Sequence, residues 1–325
     1  MNPKVTIITP SYNQAQFIEQ SIESVLSQNY PYLEYIIIDG GSKDGSVEII
    51  RKYKKHLAYW ISEPDHGQSH AINKGLQRTK GDIVNWLNSD DYYEPDTLRK
   101  VGEVFDDPDI HCYCGRSRLF DQNDTVRFSK GTDIYHDNLA KTIGWARTDQ
   151  PETWFRKSIW DRVGLLSNDL HYSMDREWWI RYLFAYGLDG IKQTDDILVN
   201  FRLHEHSKTK SQNQKFQEDH DAIYYSIAVN YNFQEIANLI SQYCNINPKY
   251  YFSGHISGNN KLVETSLLYY LIQRADQFYF QSNYNFARSF LRKVNPKLID
   301  VQDQKLFRNL SLKLKFPSKI LDLMR

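Results

Sequence analysis

The 325-residue sequence is poor in cysteine and carries no excess of charge of either sign. Its three cysteines, Cys112, Cys114 and Cys244, are an odd number that argues against a disulfide framework, and we expect reduced thiols in a cytoplasmic protein. Cys112 and Cys114 are spaced for alternate faces of a strand and not for a zinc knuckle. Forty basic and forty acidic side chains cancel, so nothing indicates a nucleic-acid partner, and any phosphate recognition has to be local.

The sequence also lacks a long hydrophobic run. No segment reaches the length that spans a bilayer, and no basic segment followed by an apolar stretch opens the chain, so we expect a protein kept in the cytosol. Apolar residues make up 41% of the chain, which is enough for a substantial core. The length predicts one full α/β domain with a smaller second unit.

Strand and helix patterns alternate over the first two hundred or so residues, as is typical of a parallel sheet with crossover helices. From about Ser207 the apolar residues recur at helical spacing with few strand signals. We therefore predict an α/β domain over residues 1–207 and a helical region over 208–325. Residues 131–153 are weakly periodic and predict a loop over the rim of the sheet, and the strand at 110–120 is polar enough to lie near an edge.

The C-terminal segment 305–325 mixes leucines and other apolar residues with lysines. The alternation from Leu310 to Phe316 is closer to the period of a strand than to that of a helix. It favours a packed structural tail, and a contact with the inner face of the plasma membrane is the alternative. The sequence also leaves open whether the chain forms a homo-oligomer.

An apolar strand ending at Leu87 is followed directly by Asn88-Ser89-Asp90-Asp91. Two adjacent carboxylates repel each other unless a hard divalent cation such as Mg²⁺ or Mn²⁺ lies between them and a phosphate-bearing ligand. The alternative is a solvated turn that caps the next helix. The position favours a ligand, because ligands of open α/β folds bind at the carboxyl ends of the strands.

Three other strand ends carry polar groups: Thr9 to Asn13, Asp39, and Glu63 with Asp65. The carboxyl ends of parallel strands meet at one edge of a sheet, so these loops are expected to build one pocket. Asp39 is suited to accept a hydrogen bond from a base or a ribose, and the ring of Tyr12 to stack on a base. A helix cap and a half-buried surface tyrosine are the alternatives.

Taken together, these motifs resemble those of family 2 glycosyltransferases. The resemblance rests on Val5 to Asn13, Asp39 to Ser46, Ala71 to Gly75 and Leu87 to Asp91, and it covers about residues 4–206. It implies a GT-A fold, a nucleotide-sugar donor with uridine as the favoured base, a divalent metal, and inversion at the anomeric carbon. It also implies a glycan or lipid-linked acceptor of the kind used in bacterial surface polysaccharide synthesis.

The resemblance also assigns residues to roles. It implies donor contacts at Pro10, Tyr12, Asn13, Asp39, Asp65, Lys74, Asn88, Ser89 and Asp90. Metal contacts are implied at Asp90 or Asp91, with His204. Asn88 stands where the family often has its first acid, and an amide supplies no charge to a metal, so we assign Asn88 to the ribose.

An inverting transfer also needs a base that takes the proton of the acceptor hydroxyl. The helix start that contains Asp175 resembles the acidic helix of the family, which implies that Asp175 is the base, with Glu177 as the fallback. A first-turn acid that only stabilises the helix dipole is the alternative for Asp175. The segment 149–154 resembles the acceptor side of the family and implies acceptor contacts at Glu152 and Trp154.

Two other classes of protein fit parts of the pattern. A sugar nucleotidyltransferase has a similar sheet, but it favours a basic, glycine-rich loop after the first strand, and Pro10-Ser11-Tyr12-Asn13 is neither basic nor glycine-rich. A catalytically silent nucleotide-binding module keeps the fold and loses turnover.

Overall fold

The structure is a computed structural model that describes residues 3–121, 124–145, 147–205, 207–208, 212–254 and 259–323. The chain forms two compact units. The first consists of Met1–Asp133 and Arg147–Asn213, and the second of Ile134–Ala146 and Gln214–Arg325. The sequence pattern placed all of residues 1–207 in one domain, whereas the structure packs the short segment 134–146 with the C-terminal helices. The functional division into a domain over 1–207 and a helical region over 208–325 stays a prediction.

Strands are confined to the first unit among the described residues. Their bounds are β1 Val5–Ser11, β2 Leu33–Asp39, β3 Tyr59–Ser62, β4 Ile83–Trp86, β5 Tyr92–Tyr93, β6 Cys112–Asp121, β7 Asp124–Phe128, β8 Thr153–Arg156 and β9 Ile191–Arg202. The helices are α1 Ile18–Leu26, α2 Ser46–Lys52, α3 Gln68–Leu76, α4 Thr97–Val104, α5 Leu139–Trp145, α6 Lys157–Val163, α7 Met174–Tyr186, α8 Asn213–Asn230, α9 Gln234–Tyr243, α10 Asn260–Phe280, α11 Tyr284–Arg292, α12 Val301–Lys313 and α13 Ser318–Leu323. Short 3₁₀ turns lie at Lys54–His56 and Pro296–Leu298.

The strands form one mixed sheet in the order β3-β2-β1-β4-β8-β6-β9-β5, with β7 paired to β6. β1 to β4 are parallel, as predicted, and antiparallel pairs begin where β8 meets β4. β1 is buried along its whole length, as expected for a parallel strand covered on both faces. Helices α1, α2 and α4 pack on the face that bears Ile7, and α3 packs on the other face, where its Gly75 approaches Ile8.

The register of the parallel strands brings their carboxyl ends together. Ser11 lies opposite Asp39, Asp39 lies opposite Ser62, and Ile8 lies opposite Trp86. The loops that follow β1, β2, β3 and β4 therefore leave the sheet at the same edge, which is the convergence that the sequence predicted.

Two expectations about β6 are wrong. β6 pairs with β7, β8 and β9 and so lies inside the sheet, where Ser117 and Arg118 find polar partners on neighbouring segments. The sulfur atoms of Cys112 and Cys114 are 3.6 Å apart, because residues two apart in a strand project from the same face. Both thiols are free and buried.

The second unit is helical, and it includes a helix, α5, in the segment predicted to be a loop. Helix α5 packs tightly against α10, since a Cβ atom on Gly144 would overlap the carbonyl oxygen of Ser266. Tyr224 of α8 donates a hydrogen bond to the carbonyl of Ile143 at 2.6 Å and stacks on Tyr270 of α10 at 4.1 Å. The weak periodicity of residues 131–153 did not reveal α5, because a helix of seven residues is too short to give a clear helical pattern.

The C-terminal tail is helical and not strand-like. Helix α12 buries Leu310, and Leu314 and Leu321 are buried after it, while Leu312, Phe316 and Ile320 stay exposed. The alternating residues Leu310 to Phe316 therefore lie in the last turn of α12 and in the turn that follows it. In the part of the chain that the structure describes, no helix combines the length and apolar character that a membrane crossing needs.

Candidate active site

Asp39, at the end of β2, has a fully buried carboxylate that is bonded within the protein. Its Oδ2 accepts hydrogen bonds from the backbone of Gly41 at 3.1 Å and Ser42 at 2.9 Å, and from the Ser62 hydroxyl at 2.7 Å. Its Oδ1 accepts one from the Ser42 hydroxyl at 2.5 Å. A carboxylate oxygen has two lone pairs, so Oδ1 keeps one acceptor position for a ligand. Asp39 thus shapes the loop in addition to any contact with a nucleotide.

The loop after β1 is tied to the loop after β2. Asn13, in the left-handed region at φ 53°, donates from its backbone to Ser42 Oγ at 2.8 Å, and its Oδ1 accepts from Lys43 N at 3.0 Å. Asparagine is one of the few residues that adopt this conformation readily. Pro10 is buried within β1, whereas Tyr12 is 63% exposed. The braced loops therefore present one open aromatic ring at the edge of the sheet.

Asp65 lies beside the loop that follows β2. Its Oδ1 accepts a hydrogen bond from Gly67 N at 2.8 Å, and a Cβ on Gly40 would lie 2.9 Å from its Oδ2. Lys74 of α3 forms an ion pair with Glu63 at 2.7 Å. Asp65 is therefore at the common edge of the strand ends, while the ammonium group of Lys74 is held by a neighbouring acid.

The two adjacent acids after β4 point in different directions. Asp90 Oδ2 is 3.0 Å from Nε2 of His204, and both side chains are partly exposed. Asp91 is 2% exposed, and its Oδ1 accepts a hydrogen bond from the backbone of Arg202 at 2.9 Å. Burial, with Asp90 beside it, holds the pKa of Asp91 well above its ordinary range. Asp91 therefore braces β9, and Asp90 is the more exposed of the two acids.

Neighbouring side chains fix this loop. Asn88 accepts a hydrogen bond from Gln68 Nε2 at 2.8 Å, and Ser89 is buried. Arg202 donates from Nε to the carbonyl of Asp90 at 3.0 Å, and its guanidinium lies 4.7 Å from the ring centre of Phe17. Among the described residues, no group of three or more His, Cys, Asp or Glu side chains forms a complete metal cage. One oxygen and one nitrogen ligand do fit a cation that a diphosphate shares, because Mg²⁺ often binds through one or two protein ligands together with phosphate oxygens.

Asp175 lies at the amino end of α7 and is partly exposed. Burial raises the pKa of its carboxyl group to about 6, although its Oδ1 accepts a hydrogen bond from Arg176 N at 2.8 Å. Burial also raises the pKa of Asp149 to about 6; Arg147, 3.2 Å away, lowers it, and the charge of Asp175 raises it further. Two carboxyl groups with raised pKa values thus lie near each other, as is common where proton transfer takes place.

Glu177, the fallback base, is not available for that role. It is 1% exposed, and both of its carboxylate oxygens accept hydrogen bonds at 2.9 Å from Arg181 on the next turn of α7. Arg181 also donates to the carbonyls of Val163 and Leu165. Glu177 therefore ties α7 to the segment after α6.

The two expected acceptor residues lie in the interior. Trp154 is fully buried, with its ring 5.3 Å from that of Tyr93. Glu152 is 1% exposed and accepts hydrogen bonds from the hydroxyls of Ser117 and Ser129. Burial raises the pKa of Glu152 to about 8. Both side chains are enclosed by the protein, because β8, which begins at Thr153 directly after Glu152, runs between β4 and β6 inside the sheet.

The geometry agrees with comparisons to known proteins. Residues 6–161 match the sequence model of Glycosyl transferase family 2. The chain carries a family 2 glycosyltransferase domain. An uncharacterized glycosyltransferase of Rickettsia typhi is 26% identical over 229 residues, which are 67% of this chain and 69% of that one. TuaG of Bacillus subtilis, whose name assigns it to teichuronic acid biosynthesis as a glycosyltransferase, is 42% identical over 103 residues, or 30% of this chain and 40% of TuaG.

Solved structures resemble this glycosyltransferase over most of its length. Staphylococcus aureus TarS 1–349 in complex with UDP aligns with a TM-score of 0.58 at 18% identity and covers 95% of this chain and 87% of TarS. The mannosyltransferase PcManGT from Pyrobaculum calidifontis, in complex with GDP-Man and Mn²⁺, aligns with a TM-score of 0.53 at 16% identity, covering 97% and 88%. At such identities the likeness concerns the fold, which is of the GT-A type.

The structure of the glycosyltransferase also brings in residues that the motifs had not singled out. Lys208 donates hydrogen bonds to Gln68 Oε1 at 2.9 Å and to the carbonyl of His171 at 2.8 Å. It thereby links the loop of Asn88 to the segment that precedes Asp175. No spacing in the sequence distinguishes Lys208 or Gln68 from other polar surface residues. Their link to the site depends on tertiary contacts, which the sequence pattern does not show.

Proposed function

We propose that this protein moves a sugar from a UDP-sugar to a hydroxyl group of a glycan or lipid-linked acceptor, with inversion at the anomeric carbon. The observation that carries the proposal is the pairing of Asp90 with His204 at the strand edge where the braced loops of Tyr12 and Asp39 also end. A nucleotide on those loops would point its diphosphate toward the pair. Such a site needs donor, metal and acceptor groups on one edge of the sheet.

Asp90 and His204 are the residues that would hold a divalent cation, Mn²⁺ or Mg²⁺. When bound, such a cation neutralises charge that develops on the departing diphosphate. Arg202 holds the backbone of Asp90 in place, and Asn88 is left to contact the ribose. Asp91 stays out of the ligand set because its carboxylate is buried against β9.

Asp175 is the proposed base. The acceptor oxygen forms a bond to the anomeric carbon while the bond from that carbon to the diphosphate breaks, and the hydroxyl proton passes to Asp175. With a pKa of about 6 the carboxylate is ionised at neutral pH and is more basic than an ordinary aspartate. Because the acceptor attacks from the side opposite the diphosphate, the configuration inverts.

The choice of uridine is supported by Tyr12 and Asp39 and by likeness to TarS, whose structures include complexes with UDP and with UDP-GlcNAc. PcManGT, bound to GDP-Man, is a counterexample among the similar structures. The likeness of TuaG supports a surface polysaccharide as the product. The cytoplasmic location and the homo-oligomer expected from the sequence stay predictions.

Calorimetric titration with UDP and with GDP, each with and without Mn²⁺, tests the donor base and the metal. We expect tight UDP binding only when Mn²⁺ is present. A panel of UDP-sugars with release of UDP as the readout then names the sugar. Metal-dependent UDP binding without turnover of any donor on any acceptor would indicate a silent module, and preference for GDP would overturn the choice of uridine.

A further inference from the structure

The C-terminal helices carry an unusual exposed surface that sugar transfer does not explain. Between Gln304 and Leu321 there are five cationic side chains and no acidic one. Four apolar side chains in the same stretch are exposed to solvent. They are Leu306 (38%), Leu312 (54%), Phe316 (45%) and Ile320 (42%). Large apolar groups in water mark contact surfaces when they occur together.

The face of α12 that points away from the unit mixes the two kinds of side chain. Val301, Lys305, Arg308 and Leu312 are spaced by four, three and four residues, so they share one stripe of the helix. Leu310, on the opposite side, is buried. Val301 is 81% exposed. The helix is therefore anchored by one side and presents apolar and basic groups together on the other.

In the part of the chain that the structure describes, no carboxylate neutralises the two cations of this stripe or two lysines that follow α12, Lys315 and Lys319. Elsewhere in the second unit, Lys141 pairs with Asp303 and Lys293 with Glu235. Among the described residues, Lys305, Lys315 and Lys319 have no carboxylate oxygen within 4 Å, and Arg308 donates a hydrogen bond to the neutral Gln304 at 3.2 Å. Unpaired cations beside exposed apolar groups need an occupant that is both anionic and apolar.

We infer that the surface formed by Val301, Lys305, Arg308, Leu312, Lys315, Phe316, Lys319 and Ile320, the α12–α13 face, binds the surface of an anionic lipid bilayer. The apolar side chains would enter the boundary between headgroups and acyl chains, and the lysines would extend to the lipid phosphates. The composition favours lipid over a protein partner, since protein interfaces are depleted in lysine, and three of the four unpaired cations here are lysines. The contact places the enzyme at a membrane surface.

Sedimentation with lipid vesicles tests the inference with the full chain and no donor, so the result is independent of the proposed transferase activity. Vesicles contain either phosphatidylcholine alone or phosphatidylcholine with one quarter phosphatidylglycerol. We expect binding to the anionic vesicles only, falling as NaCl is raised, because salt screens the attraction. Equal binding to both vesicle types, or no binding to either, would overturn the inference.

Two variants locate the contact on the α12–α13 face. Lys305→Glu with Lys319→Glu reverses two charges, and since each basic residue near an anionic surface contributes about 1 kcal/mol, we expect at least a tenfold loss of vesicle affinity. Leu312→Ser with Phe316→Ser removes the inserting groups and should lower affinity while leaving the salt dependence. All four side chains are exposed, so the thermal unfolding midpoint should not move.

Matched controls lie elsewhere on the same unit. Lys249→Glu with Lys261→Glu makes the same change in net charge at exposed positions outside the face, and Tyr251→Ser removes a side chain that is 66% exposed. Both should bind vesicles like the parent. If the controls lose as much affinity as the face variants, the attraction is general and the site is wrong. If Leu312→Ser with Phe316→Ser instead converts a dimer to a monomer and vesicles do not bind, the face joins two copies of the chain.

Discussion

Oδ2 of Asp90 lies 3.0 Å from Nε2 of His204, although 114 residues separate them in the chain. The next residue, Asp91, turns the other way and accepts a hydrogen bond from the backbone of Arg202, two residues before His204. Asp91 thus holds the start of β5 to the end of β9, while Asp90 and His204 pair with each other and stay partly exposed. This arrangement separates the roles of two adjacent aspartates.

We expect Asp90→Asn and His204→Ala each to raise the Mn²⁺ concentration needed for half-maximal UDP binding by at least about tenfold. Loss of a residue that only supports a metal ligand already lowers metal affinity by about tenfold or more. Titration of Mn²⁺ at fixed UDP measures this. Asp91→Asn is the matched control, because it keeps the shape of a buried side chain outside the ligand set. Its metal dependence should stay at the parent value, and a loss equal to that of Asp90→Asn would reverse the assignment.

Asp175→Asn should lower turnover by about two to four orders of magnitude, the usual contribution of a positioned base, and leave UDP binding unchanged. Steady-state release of UDP and calorimetric titration provide the two measurements. Transfer at the parent rate by this variant would exclude Asp175 as the base.

Glu177→Ala should act on stability. It leaves the Arg181 guanidinium buried without its carboxylate, and breaking a buried ion pair of this kind costs about 3–5 kcal/mol in the free energy of unfolding. Denaturant unfolding measures the loss. A fully stable Glu177→Ala protein that has lost only turnover would instead favour Glu177 as the base.

The pH profile follows from the raised pKa of Asp175, about 6. A base acts in its ionised form, so kcat/KM should be constant near neutral pH and fall about tenfold per pH unit below about pH 6, as Asp175 takes up a proton. Burial also raises the pKa of the neighbouring Asp149 to about 6, and Asp149→Asn should keep the fall below about pH 6, since burial of Asp175 is the cause of its own raised pKa. A profile flat from pH 7 to pH 5 would contradict the assignment.

Tyr12 and Asp39 should respond differently to substitution, although both are expected to contact the nucleotide. Tyr12 is 63% exposed, so Tyr12→Ala should weaken UDP binding by about 1–3 kcal/mol, the usual contribution of stacking on a base, without changing the unfolding midpoint. Asp39→Ala removes the acceptor of bonds from Gly41, Ser42 and Ser62, and should lower both UDP affinity and stability. Calorimetry and thermal unfolding of both variants separate the effects.

The convergence of the strand ends was predictable because it depends on local patterns alone. Apolar runs ending at Thr9, Ile38, Ser62 and Leu87 predict parallel strands, and parallel strands place their carboxyl ends on one edge whatever their order. The motif residues at those ends, and the position of Asp175 at the amino end of a helix, needed no knowledge of distant contacts. The same patterns indicated a helical C-terminal region.

The sequence by itself determined the parallel strands, the edge on which the ligand groups meet and the family of the domain, since these follow from short-range periodicity and contiguous motifs. Only the tertiary structure decided that Asp91 is buried while Asp90 stays partly exposed, and that Glu152, Trp154 and Glu177 are buried. It also decided that α5 packs with the C-terminal helices. Each of these depends on partners far along the chain, such as Arg202 for Asp91 and α10 for α5, and local spacing does not specify which distant segments meet.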